Sequence, residues 1–283
     1  MIEIQSTTLA ELVRRHGGAA DHDAPVSALS RTRDAKEGSL APLFSLKYLQ
    51  DAQNARRAGA SLLIAKEITN DPRVRKLGGW VHPFAQWVLA EILDGAQVPD
   101  EKAYVLENTI VGDNTILGPR VRIGRSVRVG ASCVIGGHGF GWTTGPKGIR
   151  QIPQKAGVVI EDDVWIGSLV TIDSGTLEPT IIRRGARIDS HVHIGHNCEV
   201  GEGTIIAAQS GLAGSVRVGN RCLIGGQVGI ADHVRVGDGA RIAAGSGVIG
   251  DVPAGDVVAG YPAVPRMRWL RGLSVLYRLL DKS

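Results

Sequence analysis

The chain has 283 residues, of which 43% are hydrophobic and only 4% aromatic, and it contains 38 glycines. Its formal net charge of +4 comes without any basic run interleaved with aromatic residues, which disfavours a nucleic-acid binder. The sequence shows neither an apolar signal segment at the N-terminus nor an apolar run long enough to cross a bilayer. Three widely spaced cysteines predict neither a disulfide framework nor a metal site. We therefore expect a cytoplasmic protein with at most peripheral membrane contact.

Residues 1–100 predict a small α/β domain. Thr8 and Glu11 have the spacing of a helix capping box, and Gly17 marks the end of that helix. "SLLIAKE" predicts a strand, "PLFSLKYLQDAQNARRAGA" a loop that enters a helix, and "HPFAQWVLAEILDG" an amphipathic helix with Pro83 near its first turn. Residues 94–103 predict the linker to the next domain.

A six-residue aliphatic series runs through residues 104–262. Every sixth residue from Ile182 to Val248 is aliphatic, and the same spacing runs from Val105 to Ile135 and from Ile160 to Ile172. A period of six fits neither a helix face nor simple strand alternation. It is typical of a parallel β-helix in which three hexads form one triangular coil, so the series predicts about seven coils.

Two segments interrupt this series. Residues 136–159 are rich in glycine and proline and too long for a hexad, so we expect them to loop out of the coil. The gap between Ile172 and Ile182 predicts a bulge at a corner. The cysteines each stand four residues after a series residue, where small side chains recur, and are predicted to face the core: Cys133, Cys198 and Cys222.

Three of the eight histidines, His191, His193 and His196, fall within six residues. His196 and His233 occupy coils two apart on one side of the prism, which places them about 10 Å apart along its axis. Neutral imidazole is well suited to act as a base near pH 7. The alternative is zinc, because γ-class carbonic anhydrases use a five-residue histidine spacing with a third histidine about two coils away. That position holds Lys155, so we predict no metal.

Residues 263–283 predict one amphipathic basic helix. It either caps the last coil and packs on a neighbouring subunit, or presents a docking surface to an acidic carrier protein or an anionic membrane. Its apolar residues recur at helical spacing with arginines between them: Met267, Leu270, Leu273, Leu276 and Leu280.

The motifs "GFGW", "IPQ", "TID", "GHN", "AGS" and "DH" follow one another in this order between residues 137 and 250. In this order they resemble the UDP-3-O-(3-hydroxyacyl)glucosamine N-acyltransferases of lipid A biosynthesis. The resemblance implies a mainly β fold, a left-handed parallel β-helix with a small N-terminal uridine-binding domain and a C-terminal helix. It also implies a homotrimer with active sites between the subunits.

The resemblance implies a role for several residues. His196 matches the general base, His233 a histidine that stabilises the oxyanion or positions the thioester, and Asp189 an acid ahead of the base. Backbone N–H groups at Gly225 and Gly226 are our own assignment for the oxyanion donor. The remaining substrate-binding candidates are Phe44 and Tyr48 for uracil, Lys47 for phosphate, Phe140 and Trp142 in the loop, and Gly247 at a position that limits acyl length in some members.

These expectations predict an enzyme without a cofactor. It would transfer a 3-hydroxyacyl group from acyl carrier protein to the 2-amine of UDP-3-O-acylglucosamine. An alternative, favoured by "GYPA" at residues 260–263, is a coenzyme A-dependent N-acyltransferase acting on a nucleotide-linked aminodeoxysugar. Two hypotheses from other functional classes remain: the protein is a metal-dependent hydratase, or it is a non-catalytic trimeric scaffold.

Overall fold

Strands and short helices alternate over the first hundred residues. The computed structural model describes residues 1–99, 101–260 and 266–280. The strands form one sheet in the order β1-β3-β4-β5-β6-β2, in which β3 to β6 are parallel. The elements are β1 Ile2–Thr8, α1 Leu9–His16, β2 Ala19–Ala20, β3 Pro25–Leu29, β4 Ser39–Leu43, α2 Leu49–Arg57, β5 Ser61–Ala65, α3 Pro72–Arg75, β6 Trp80–His82 and α4 Ala85–Gly95, with 3-10 turns at Thr32–Asp34, Leu46–Tyr48 and Lys66–Ile68.

The predicted local signals in this domain are confirmed. The Thr8 hydroxyl accepts a hydrogen bond from the Glu11 backbone N–H, and the Glu11 carboxylate accepts one from the Thr8 N–H. Gly17 ends the helix with φ 84°, a value that favours glycine. The predicted linker begins later than expected because residues 94 and 95 still belong to α4.

From residue 104 the chain winds into a prism with three parallel sheets, here called faces 1, 2 and 3. Successive strands pass from one face to the next, so each residue pairs with its equivalent in the neighbouring coil. Face 1 contains β7 Tyr104–Val105, β10 Val121–Ile123, β15 Val158–Ile160, β18 Thr180–Ile182, β21 Glu199–Val200, β24 Arg217–Val218 and β27 Arg235–Val236. Face 2 contains β8 Ile110–Val111, β11 Arg128–Val129, β16 Trp165–Ile166, β19 Arg187–Ile188, β22 Ile205–Ile206, β25 Leu223–Ile224, β28 Arg241–Ile242 and β30 Val257–Val258. Face 3 contains β9 Ile116–Leu117, β12 Val134–Gly137, β17 Thr171–Asp173, β20 His193–Ile194, β23 Gly211–Leu212, β26 Gly229–Ile230 and β29 Gly247–Val248.

The aliphatic series forms the core of this prism. Its members from Ile123 to Val248 are buried and join one hydrophobic cluster, together with all three cysteines. The predicted fold class, a mainly β protein built on a left-handed parallel β-helix of hexapeptide repeats, is confirmed. The tail forms α5, Arg266–Leu280, and no helix in the described ranges is long and apolar enough to cross a membrane. The predicted domain boundaries stay predictions.

Residues in the left-handed region of φ turn the corners of the coils. On the corner that leads from face 3 to face 1, here called the third corner, these include Arg120, Asn197, Ser215 and His233, with φ near 60°. Asparagine and histidine adopt this conformation more readily than most residues. Asn197 and His233 therefore occupy equivalent corner positions two coils apart.

Both interruptions of the series contact the N-terminal domain. The loop contains a hairpin, β13 Trp142–Gly145 with β14 Gly148–Gln151, packed on α4. Arg150 lies over the Trp87 ring at 5.4 Å and pairs with Glu91 at 3.3 Å. In the bulge, Leu177 is buried in the core of the N-terminal domain. The two insertions thus hold that domain against the third corner.

The series predicts where stability resides. We expect Ile206→Ala to lower the free energy of unfolding by about 2 to 5 kcal/mol, because Ile206 is fully buried between neighbouring coils. Urea unfolding measures this change. Ile249→Ala is the matched control, since that side chain is 90% exposed and its loss should cost less than about 0.5 kcal/mol. Equal losses in the two variants would contradict the assigned core.

Candidate active site

A cavity of about 690 Å³ opens where face 3 meets the third corner. One wall is the loop that leaves the coil after β12, and another is the surface of face 3 above β17. It brings together the predicted His196, His233, Phe140 and Trp142. The other lining residues include Gln86, Ile152, Asp173, His193, Gly211, Ala213, Gly214, Gly229 and Asp232.

The orientation of the Asn197 amide is fixed by backbone groups. Its Oδ1 accepts a hydrogen bond from the Thr176 backbone N–H at 3.2 Å, and its Nδ2 donates to the Glu178 carbonyl at 3.2 Å. Because a backbone N–H can only donate and a carbonyl can only accept, Oδ1 and Nδ2 cannot be exchanged. The bulge therefore holds an amide oxygen beside His196.

This oxygen determines the tautomer of His196. The His196 Nδ1 lies 3.0 Å from Asn197 Oδ1, so Nδ1 must carry the proton. In the neutral ring Nε2 is then an unprotonated acceptor. A Cβ at Gly214 would lie 2.5 Å from this Nε2 and one at Gly141 would lie 3.8 Å from it, so the cavity wall approaches the basic nitrogen closely.

Glycines allow the loop to cover His196. Gly139 has φ 63°, and a Cβ there would lie 3.0 Å from the His196 Cβ and 3.1 Å from Gln154 Cγ. Gly141 is buried, and a Cβ there would lie 2.7 Å from Gln154 Nε2. The "GFGW" motif thus permits close approach of the backbone while Phe140 and Trp142 remain exposed at the cavity as an edge-to-face pair.

Asp173 is a cavity residue that the sequence-based assignment did not include. Burial raises the pKa of its carboxyl group, while the charges of His193, His196 and His138 act in the opposite direction. A signal existed in the sequence: Asp173 directly follows a series residue, at a position that Gly195 and Ala213 fill in the next two coils.

Asp189 is not brought to this cavity. It lies after β19, on the corner between faces 2 and 3, and its carboxylate accepts a hydrogen bond from the Ser190 N–H at 2.7 Å. The acid beside His193 is Asp173. His191 also lies on that other corner with φ 61°, away from the lining residues.

The N-terminal domain reaches His233 through the "FSLKY" segment. The Tyr48 hydroxyl lies 2.9 Å from His233 Nδ1, and Lys47 Nζ donates to the His233 carbonyl at 2.7 Å. Lys47 Nζ also lies 3.8 Å from Asp251 Oδ1. Phe44 instead packs against the core of the N-terminal domain and is only partly exposed. Of the predicted uracil and phosphate residues, Lys47 and Tyr48 therefore lie at the cavity edge.

The predicted glycines are placed differently. Gly225 and Gly226 lie on the corner between faces 2 and 3, and the Gly225 N–H donates to the Ile242 carbonyl at 2.8 Å. This amide is committed to the coil ladder, so the structure does not present it as an oxyanion donor. Gly247 lies on face 3 in register with Gly229, and a Cβ added there would meet no atom within 4 Å. Within the described ranges no group of three His, Cys, Asp or Glu is arranged to hold a metal ion.

Burial lowers the pKa of His233, and the neighbouring Lys47 acts in the same direction while Asp232 opposes it. Below the ordinary value of 6.5 the unfolded chain therefore binds more protons at this position than the folded chain, and protonation disfavours folding. We expect His233→Gln to gain stability relative to the wild type as pH falls from 8 to 5. Urea unfolding at both pH values measures the difference, with His191→Gln on the exposed corner as the control. A difference that does not change with pH would contradict the burial of a neutral imidazole.

The fold and repeats define a hexapeptide-repeat protein: the family model "Bacterial transferase hexapeptide (six repeats)" matches residues 179–214 and 215–250. The chain is 56% identical over 148 residues to the UDP-3-O-acylglucosamine N-acyltransferase of Syntrophus aciditrophicus, covering 52% of this chain and 41% of the relative. The corresponding protein of Syntrophotalea carbinolica is 57% identical over 138 residues, covering 49% and 40%.

The matched region spans less than half the length of these curated relatives. The solved UDP-N-acetylglucosamine acyltransferase of Francisella novicida is 25% identical and covers 62% of this chain and 70% of its own, with a TM-score of 0.47. The predicted resemblance to UDP-3-O-acylglucosamine N-acyltransferases is thus confirmed over about half of the chain.

Proposed function

We propose that this protein is an N-acyltransferase of lipid A biosynthesis that transfers a 3-hydroxyacyl group to the 2-amine of UDP-3-O-acylglucosamine. The observation that carries the proposal is the position of His196 at the cavity, with its Nδ1–H donated to Asn197 Oδ1 so that Nε2 is the acceptor of the neutral ring. The names of the relatives at 56% and 57% identity support the same reaction.

In this reaction the amine nitrogen attacks the thioester carbonyl carbon as His196 Nε2 accepts the amine proton. A C–N bond forms, the carbonyl electrons move to oxygen, and their return breaks the C–S bond. A thioester is already activated, so proton transfer and oxyanion stabilisation suffice and no cofactor is required.

We assign oxyanion stabilisation to His233. When the Tyr48 hydroxyl donates to its Nδ1, the neutral ring carries its proton on Nε2 and can donate it as a hydrogen bond. The lowered pKa of His233 supports a neutral ring in this role. Lys47 and Tyr48 would also receive the nucleotide, because they connect the N-terminal domain to the cavity edge.

The proposal includes a homotrimer, acyl carrier protein as the donor, and a cytoplasmic location. Three unpaired thiols support a reducing compartment. The repeat fold supports the trimer, in which a neighbouring subunit would close the open side of the cavity.

A mass-spectrometric transfer assay tests the proposal. UDP-3-O-acylglucosamine and other UDP-amino sugars are each offered 3-hydroxyacyl carrier protein, 3-hydroxyacyl coenzyme A and acetyl coenzyme A. We expect a 3-hydroxyacyl amide of UDP-3-O-acylglucosamine from the carrier protein. An acetyl amide formed only from coenzyme A would replace this proposal with surface-sugar modification. No product from any pair would contradict N-acyl transfer, and a zinc analysis would then test the hydratase alternative.

A further inference from the structure

His193 is a second imidazole in the cavity with a different set of neighbours from His196. It lies on β20, in register with Thr171 one coil below and Gly211 one coil above. Its Nδ1 is 2.8 Å from Thr171 Oγ1, and its Nε2 is 3.8 Å from Asp173 Oδ2. The side chain is 50% exposed, whereas the Asp173 side chain is 15% exposed. His193 thus stands between a buried carboxylate and the open cavity.

The two imidazoles have chemically different partners, an amide for His196 and a carboxyl group for His193. His196 hydrogen-bonds to a neutral amide, which fixes its tautomer without adding a charge. The nearest acidic group to His193 is the carboxyl of Asp173, whose Oδ2 lies 3.8 Å from His193 Nε2. Two neighbouring imidazoles with different partners can divide the roles of base and acid between them.

We propose that His193 is the general acid of the transfer and donates its Nε2 proton to the sulfur of the departing thiol. Asp173 is then a positioning residue that holds the imidazolium, and Thr171 Oγ1 orients the ring through Nδ1. This role rests on the proposed function, since it requires a thioester donor in the cavity.

The step balances without a further reactant. As the C–S bond breaks, its electron pair goes to sulfur, and the proton on His193 Nε2 moves to that sulfur to give a free thiol. His196 has meanwhile gained the amine proton, so the two rings end the turnover with exchanged protonation states. Proton exchange with solvent, to which His193 is half exposed, restores both.

A comparison of leaving groups tests the acid. The full-length wild type and His193→Gln are assayed with UDP-3-O-acylglucosamine and 3-hydroxyacyl thioesters of carrier protein, coenzyme A and thiophenol, after subtraction of the uncatalysed rate. Glutamine keeps a hydrogen-bonding group near Thr171 but cannot donate a proton as an acid. An alkyl thiolate is more basic than an aryl thiolate and leaves more slowly as an anion, so its departure gains more from a proton donor.

We expect His193→Gln to lower kcat by about 10²-fold with the carrier-protein and coenzyme A donors and by less than about 3-fold with the aryl thioester. Asp173→Asn should show the same dependence on the leaving group with a smaller loss. His191→Gln, on the other corner, should match the wild type with every donor. Thermal unfolding and subunit size establish that each variant is folded.

The outcomes separate this role from the proposed function. If the wild type transfers normally and His193→Gln loses the same factor in kcat with alkyl and aryl donors, His193 is not the general acid. The proposed N-acyltransferase activity is then unaffected. Unchanged activity of His193→Gln overturns the acid as well. A wild type that transfers from no donor contradicts the proposed function, and the role of His193 falls with it.

Discussion

We expect His196→Ala to lower kcat for acyl transfer by about 10² to 10⁴-fold while the β-helix stays folded. In the proposed reaction the imidazole accepts the amine proton at Nε2, because its Nδ1–H is donated to Asn197 Oδ1 at 3.0 Å. The ring lies at the surface of the cavity and not among the inward-facing residues, so its removal creates no void in the core. Steady-state transfer to UDP-3-O-acylglucosamine measures the loss.

The matched control for this variant is His191→Ala, five residues earlier on another corner. It should retain the wild-type rate, since His191 does not line the cavity. Circular dichroism and subunit size should be the same for both variants. Near-wild-type turnover of His196→Ala would refute the assignment of His196 as the base. Equal losses of kcat in both variants would instead indicate a general effect of removing a histidine side chain from this segment.

The architecture follows from the sequence because one constraint acts on every coil. An aliphatic residue must point inward at each side of the prism. The series from Ile182 to Val248 therefore predicts which residues enter the core, on which face each strand lies and how many coils there are. The two interruptions were predicted for the same reason, since no hexad can absorb residues 136–159. Local capping rules located α1 equally well, because Thr8 and Glu11 act within one turn.

The site residues could be predicted only by considering two things together. These are the position of a residue within its hexad and the residues at the equivalent position in neighbouring coils. Gly225 fits an oxyanion motif by residue type, yet its position on the corner between faces 2 and 3 commits its N–H to the Ile242 carbonyl. Asp173 was a stronger candidate than Gly225, since it places an acidic side chain at a position that the next three coils fill with Gly195, Ala213 and Ala231.

Contacts between distant segments lie outside what such patterns predict. Tyr48 and His233 are 185 residues apart, and their 2.9 Å approach depends on how the hairpin and the bulge hold the N-terminal domain on the third corner. Each of those contacts joins side chains from separate elements, such as Arg150 with Glu91. Periodicity carries no information about such a docking angle.

The second large effect is expected at Gly214, one coil above His196. A methyl group at this position would lie 2.5 Å from His196 Nε2 and 2.6 Å from its Cε1, closer than real contacts allow. We expect Gly214→Ala to lower kcat by at least about 10²-fold, because the imidazole must rotate away and a displacement of about 1 Å suffices for such a loss. Transfer kinetics measure the effect, and urea unfolding should show a change in stability below about 2 kcal/mol.

Gly95→Ala is the control for Gly214→Ala, since a Cβ at this end of α4 meets no atom within 4 Å. It should leave kcat unchanged. If the Gly214→Ala enzyme keeps wild-type kcat, then Nε2 of His196 is not the atom that accepts the amine proton, even if His196→Ala is inactive. His196→Ala removes the imidazole, whereas Gly214→Ala keeps the imidazole intact and changes only where its Nε2 can lie. The two variants therefore separate the need for the imidazole from the need for its nitrogen at this position.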